Sequence, residues 1–89
     1  MNYKKHYNLL IERAQNRSIL KSEYKENHHI IPTCMNGSNM KENKVALLPE
    51  EHLLAHLLLH KIYPNELGLA KAVVQMTKRK LSGWSIKEL

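Results

Sequence analysis

Apolar positions along the chain follow a helical period at both ends and a short extended pattern in between, with Pro32, Pro49 and Pro64 as punctuation. Over residues 2–19, Tyr3, Tyr7, Leu10, Ile11 and Ala14 recur on one face, while Lys4, Lys5, Glu12, Arg13 and Arg17 take the other sides. That spacing predicts an amphipathic helix, and the absence of internal Pro and Gly favours it. Two short apolar segments follow: His28-His29-Ile30-Ile31, stopped by Pro32, and Lys44-Val45-Ala46-Leu47. Both are partly β-branched and read as candidate strands. The stretch between them, residues 33–43, is polar, lacks a period and contains Asn36-Gly37. Asn-Gly is a turn signal because both residues tolerate positive φ. The expectation is an antiparallel ribbon with a long loop.

Pro49 suits the first position of a helix over about residues 49–60, and Glu50 and Glu51 complement the positive end of its dipole. Leu48 is a poor cap for that helix. The run Leu53, Leu54, Leu57, Leu58 and Leu59 reads as core. Beyond Pro64, Asn65 can cap a last helix over about residues 65–81, with Leu67, Ala70, Val73, Val74, Thr77 and Leu81 on or near one face. Ser82-Gly83 is the expected stop, and the last six residues read as a tail. There is no internal repeat and no low-complexity block.

At 89 residues the chain is expected to form a single small domain with a marginal core. One Cys cannot make an intramolecular disulfide, which leaves a metal as the available staple for a chain with six His. The lone thiol suits a reducing cytosol. Lys plus Arg number 14 and Asp plus Glu number 8, a net charge of +6 that points to a polyanionic partner. Apolar content of 43% argues against disorder. No apolar run approaches the length of a membrane span, and the N-terminal residues carry no secretory core, so neither membrane insertion nor secretion is expected.

Five of the six His fall in two places. His52, His56 and His60 are spaced i, i+4, i+8 on the central helix, and His28 and His29 are adjacent on the first candidate strand. Two imidazoles at i, i+4 on a helix form a pincer for a divalent metal. A third ligand from a neighbouring strand would leave positions open for water or substrate. Neighbouring strand side chains point to opposite sides. The adjacent pair therefore divides naturally into one ligand and one free imidazole, and a free His near pKa 6.5 suits a general base at neutral pH. The plainer alternatives are packing roles for individual His, an apolar loop residue in Cys34, and a merely solvated face for the excess Lys and Arg.

Taken together, Glu26-Asn27-His28-His29-Ile30-Ile31-Pro32, the Gly37 loop, Asn43-Lys44-Val45-Ala46-Leu47 and Glu51-His52-Leu53-Leu54-Ala55-His56 resemble the HNH endonuclease motif, and more closely the small phage-type HNH nucleases, which include homing endonucleases. The resemblance covers about residues 24–64. It implies an α+β fold with a ββα-metal (His-Me finger) core, here flanked by an N-terminal and a C-terminal helix, and one divalent metal ion. By resemblance, His28, His52 and His56 are metal ligands, His29 is the general base that activates water, and Asn43 fixes the loop and orients the base. His60 has no fixed role in the motif. The bracing Cys pairs of some HNH proteins are absent.

The implied activity is hydrolysis of DNA phosphodiester bonds with one metal, leaving 5′-phosphate and 3′-hydroxyl ends, in the host cytoplasm if the chain is phage-encoded. Three neutral imidazoles suit Zn²⁺, Ni²⁺, Co²⁺ or Mn²⁺ better than Mg²⁺, though Mg²⁺ stays on the list of ions to test. Lys21, Lys25, Lys41, Lys44 and Lys61 flank the site, and Lys78, Arg79 and Lys80 cluster on the last helix. All are expected to meet phosphates, which positions the backbone without reading bases. No reading helix is evident, so cleavage is expected to be weakly specific or to need a partner, either a second copy of the chain or a larger phage protein. The competing expectations are a non-catalytic DNA-binding or structural metal domain of the same fold, and a small helical interaction protein without metal.

Overall fold

The computed structural model describes residues 1–82, with side chains to Lys78. Gly83 and the six-residue tail lie outside the described residues, as do the side chains of Arg79, Lys80 and Leu81. The elements are helix α1 (Tyr3–Gln15), strand β1 (Glu26–His29), strand β2 (Lys44–Leu47), helix α2 (Pro49–Ile62) and helix α3 (Leu67–Ser82), with single 3-10 turns at Thr33–Met35 and Lys41–Asn43 in the loop. The described residues thus form a small α+β unit with one two-stranded antiparallel sheet. None of their helices is long and apolar enough to cross a membrane.

Helix α1 buries Tyr7, Leu10, Ile11 and Ala14, the face expected from their spacing. It is shorter than residues 2–19 at both ends. Asn2 is its cap, accepting the Lys5 N–H at 3.0 Å. At the other end Asn16 turns back, donating its side-chain amide to the Glu12 carbonyl at 2.9 Å. Asn competes for backbone partners in this way and so favours helix ends.

The strands pair in the register Glu26–Leu47, Asn27–Ala46, His28–Val45 and His29–Lys44. The first strand therefore lies two residues earlier than residues 28–31. Ile30 and Ile31 are drawn off the ladder by Asn43, whose carbonyl accepts the Ile30 N–H and whose side chain accepts the Ile31 N–H, both at 2.8 Å. In β2, Val45 and Leu47 are buried and alternate with half-buried Lys44 and Ala46. Only Asn36 of the Asn-Gly pair adopts positive φ, at 67°. Gly37 serves close approach instead: a Cβ there would lie 1.7 Å from the Ile31 carbonyl oxygen.

Helix α2 starts at Pro49 although Leu48 offers no side-chain cap. Glu51 supplies what Leu48 lacks, its Oε1 accepting the Leu48 N–H at 2.8 Å. The same carboxylate takes both terminal nitrogens of Arg17 from the segment after α1. Not all of the leucine run is core. Leu59 is buried, but Leu54 and Leu57 are 47% and 41% exposed. Five leucines in two turns spread around too much of the helix to face one side, and part of the inner face goes to His52 and His56. The buried face of α3 also differs from the expected one. Leu69 and Met76 are buried, whereas Leu67 and Val74 are 74% and 51% exposed. The core joins α1, Val45 and Leu47 of β2, Ala55 and Leu59 of α2, and Leu69 of α3.

Candidate metal centre and adjoining cleft

Strand pairing and helix phase bring three imidazoles together. The ligand atoms of His28, His52 and His56 all lie within 4.8 Å of one another. Ring centroids are 5.1 Å apart for His28–His52, 5.1 Å for His28–His56 and 4.9 Å for His52–His56. His28 comes from the core face of β1 and is fully buried. His52 and His56 are one helical turn apart on α2.

Hydrogen bonds occupy one ring nitrogen each of His28 and His52. His28 Nε2 lies 2.7 Å from the Tyr7 hydroxyl, which donates to the Ile30 carbonyl at 2.7 Å. His52 Nδ1 lies 2.8 Å from Glu26 Oε1, while Glu26 Oε2 accepts from the Tyr24 hydroxyl at 2.8 Å. His28 Nδ1 and His56 Nδ1 are buried with no partner. Buried polar atoms are nearly always paired, so orphaned nitrogens in a trio of imidazoles call for a ligand.

Electrostatics agree with that chemistry. Burial, followed by repulsion from His56, His52 and His29, pulls the His28 pKa down to about 3. Burial and then His52 pull His56 down to about 4. Both rings are neutral at pH 7, the state in which imidazole binds a metal. Burial, then Tyr63, pushes the Tyr7 hydroxyl far above its usual value, so it stays protonated. Three donors bonded to one ion at about 2.1 Å are roughly 3.4–3.6 Å apart, so a trio within 4.8 Å would draw in by about an ångström to bind one. The donor set fits a borderline divalent ion.

His29 leaves the strand on the face opposite His28, as strand alternation requires. It is half-buried, and its Nε2 lies 3.0 Å from Asn39 Oδ1. It lines a cleft of about 250 Å³ together with Asn27, His52, His56, Thr33 and Cys34. The start of α3 forms the far wall, where Gly68 lets the helix approach Cys34: a Cβ at Gly68 would lie 2.9 Å from its sulfur. The side-chain hydrogen bonds of Asn43 go to the backbone of Ile31 and Ser38 and not to His29. Asn43 is buried, accepts the Ile31 N–H, and donates to the Ile31 and Ser38 carbonyls at 3.0 and 2.8 Å.

The remaining residues singled out from sequence are more scattered. His60 stays outside the trio, with a buried Nδ1 that lacks a partner. Lys25, Lys41, Lys61 and Lys78 are exposed and do not line the cleft. Lys44 is half-buried and stands opposite His29 in the sheet register. Arg79 and Lys80 lie beyond the described side chains. Tyr7, Glu26 and Asn39 escaped the sequence reading as participants. Tyr7 counted only as an apolar position, Glu26 only as a letter of a motif, and Asn39 as one of several loop asparagines.

Three converging imidazoles, His28 buried and His52 and His56 half-buried, beside an open cleft that carries a fourth form a site that could hold a divalent cation. Comparison with known proteins adds three relatives from Enterobacteria phage T4. The chain is 64% identical to probable mobile endonuclease E over 64 residues, 72% of this chain and 45% of that protein. It is 59% identical to probable mobile endonuclease B over 66 residues, 71% of this chain and 25% of that protein. It is 47% identical to probable mobile endonuclease D over 75 residues, 81% of this chain and 29% of that protein. The chain thus spans less than half of each of these relatives. No family model and no solved structure matches it.

Proposed function

We propose that the chain is a single HNH-type DNA endonuclease domain with its motif core at about residues 24–64, and that it hydrolyses phosphodiester bonds with one divalent metal. The observation that carries this reading is the convergence of His28, His52 and His56 while His29 faces the adjoining cleft. The phage relatives named as mobile endonucleases support it, and through them a place in an infected host's cytoplasm.

His28, His52 and His56 would hold the ion. When bound, the ion supplies Lewis-acid charge for the phosphate and leaving oxygens. His29 is the general base. Asn39 Oδ1 can only accept, so it takes a hydrogen bond from Nε2–H of His29, which leaves the lone pair on Nδ1 to take a proton from water. The hydroxide so formed attacks phosphorus in line, the P–O3′ bond breaks, the leaving 3′ oxygen takes a proton from solvent water, and the proton from the nucleophile rests on His29. Asn43 acts one step back: it fixes the Ser38 carbonyl, next to Asn39, and the Ile31 backbone beyond His29. Lys25, Lys41, Lys44, Lys61 and Lys78 are the described cations offered to the DNA backbone, with Arg79 and Lys80 completing the set from beyond the described side chains.

The test is nicking of supercoiled plasmid by wild type and His29→Ala, scanned over Mn²⁺, Ni²⁺, Zn²⁺ and Mg²⁺. Loss of a general base costs about 10²–10⁴-fold in rate, with zinc binding retained. Zinc and DNA binding without nicking in any of the metals would make the chain a binding module instead.

A further inference from the structure

Tyr7 sits on α1, outside the residues that carry the HNH resemblance, yet its hydroxyl touches the most buried imidazole of the trio. The oxygen has two partners, the Ile30 carbonyl at 2.7 Å and His28 Nε2 at 2.7 Å. A phenol has one proton to give, and a carbonyl can only accept. The Tyr7 proton therefore goes to Ile30, and the Tyr7 oxygen must accept from His28. Nε2 of His28 then carries the hydrogen, and in a neutral ring Nδ1 keeps the lone pair. That same Nδ1 is the buried nitrogen without a partner. The opposite tautomer would bury an N–H on Nδ1 with no acceptor and leave two lone pairs facing each other across the 2.7 Å contact.

We infer that Tyr7 is a positioning residue of the metal centre, holding His28 in the Nε2–H tautomer so that Nδ1 is presented to the cation. The inference rests on reading the trio as a metal site. Partners that fix the tautomer of a metal-bound His change metal affinity by about 10–100-fold when removed. Helix α1 thereby becomes part of the centre, since Leu10, Ile11 and Ala14 seat it against α2 and β2.

The experiment uses the full chain. Long-range ¹H–¹⁵N correlation on ¹⁵N-histidine-labelled, metal-free protein at pH 7 reads the tautomer of His28 directly, and chelator competition reads zinc affinity. The expected result is an Nε2–H signature in wild type. Tyr7→Phe should lose the dominance of that signature and weaken zinc binding at least about 10-fold. Tyr3→Phe, on the same helix, should change neither. An Nδ1–H signature in wild type overturns the inference without any variant, which covers the case of a Tyr7→Phe protein that does not fold. Unchanged zinc affinity in folded Tyr7→Phe also overturns it, while leaving the metal site standing. No zinc binding by wild type removes the metal site, and the inference with it.

Discussion

Glu26 and His52, 26 residues apart, meet at 2.8 Å between Oε1 and Nδ1 across the join of β1 and α2. The carboxylate occupies Nδ1 and leaves Nε2 as the nitrogen His52 can offer to a cation. Glu26→Gln keeps the shape of the side chain but lets the amide present either a donor or an acceptor to His52. Zinc affinity measured by chelator competition should fall by about 10-fold, and excess metal should restore most of the plasmid nicking. Unaltered affinity would mean that packing alone orients His52.

The depressed pKa values of His28 and His56 make stability depend on pH in the absence of metal. In the unfolded chain both titrate near 6.5, whereas in the folded protein burial holds them at about 3 and about 4. Between those values the unfolded state binds more protons, so stability rises with pH through this window and falls as pH is lowered through 6.5. Above about pH 7 neither state binds these protons, and the contribution is flat. Urea midpoints of metal-free protein from pH 8 to 5 should show this profile, and His56→Gln should flatten the acid limb. A midpoint independent of pH across that range would show that these imidazoles protonate freely in the folded state.

Asn43 gathers the loop by three side-chain hydrogen bonds to Ile31 and Ser38. At about 0.5–1.5 kcal/mol net for each bond, Asn43→Ala should cost roughly 2–4 kcal/mol in urea unfolding. Asn43→Asp should be poorly tolerated as well, because a carboxylate cannot donate to the two carbonyls. Nicking by folded Asn43→Ala should drop more than zinc affinity does, since the loop carries Asn39 to His29 while the trio sits on β1 and α2. Equal losses of both would place Asn43 at the metal site itself.

Glu51 couples two functions at the start of α2. It caps the Leu48 N–H and pairs with Arg17, and its carboxyl is held below the ordinary range, first by the Arg17 hydrogen bond. Glu51→Ala should cost about 1 kcal/mol through the lost cap, measured as a lower urea midpoint. Glu51→Gln should cost less, because its amide oxygen still accepts from Leu48. As His52 is the next residue, fraying of this turn should also weaken zinc binding slightly in the Ala variant. A stability loss in Glu51→Gln equal to that of Glu51→Ala would assign the effect to the exposed ion pair with Arg17, contrary to the small value such pairs have.

The element order was legible along the chain because each signal is local. Helical spacing marked the inner face of α1, a short and partly β-branched run marked β2, and Pro49 marked the start of α2. The candidate ligands were legible for the same reason: His52 and His56 are one turn apart, and adjacent strand residues must diverge. What the leucines of α2 and the apolar residues of α3 would cover was not local. Leu54, Leu57, Leu67 and Val74 are exposed because the neighbouring elements reach only one side of each helix. The partners of the trio came only with tertiary structure. Periodicity records whether Tyr7 is apolar, and is blind to where its single hydroxyl proton goes. That depends on His28 and, just past the strand, Ile30 arriving at the same point more than twenty residues further along the chain, so hydrogen-bond direction, and with it which nitrogen is left for a cation, is a property of the packed molecule alone.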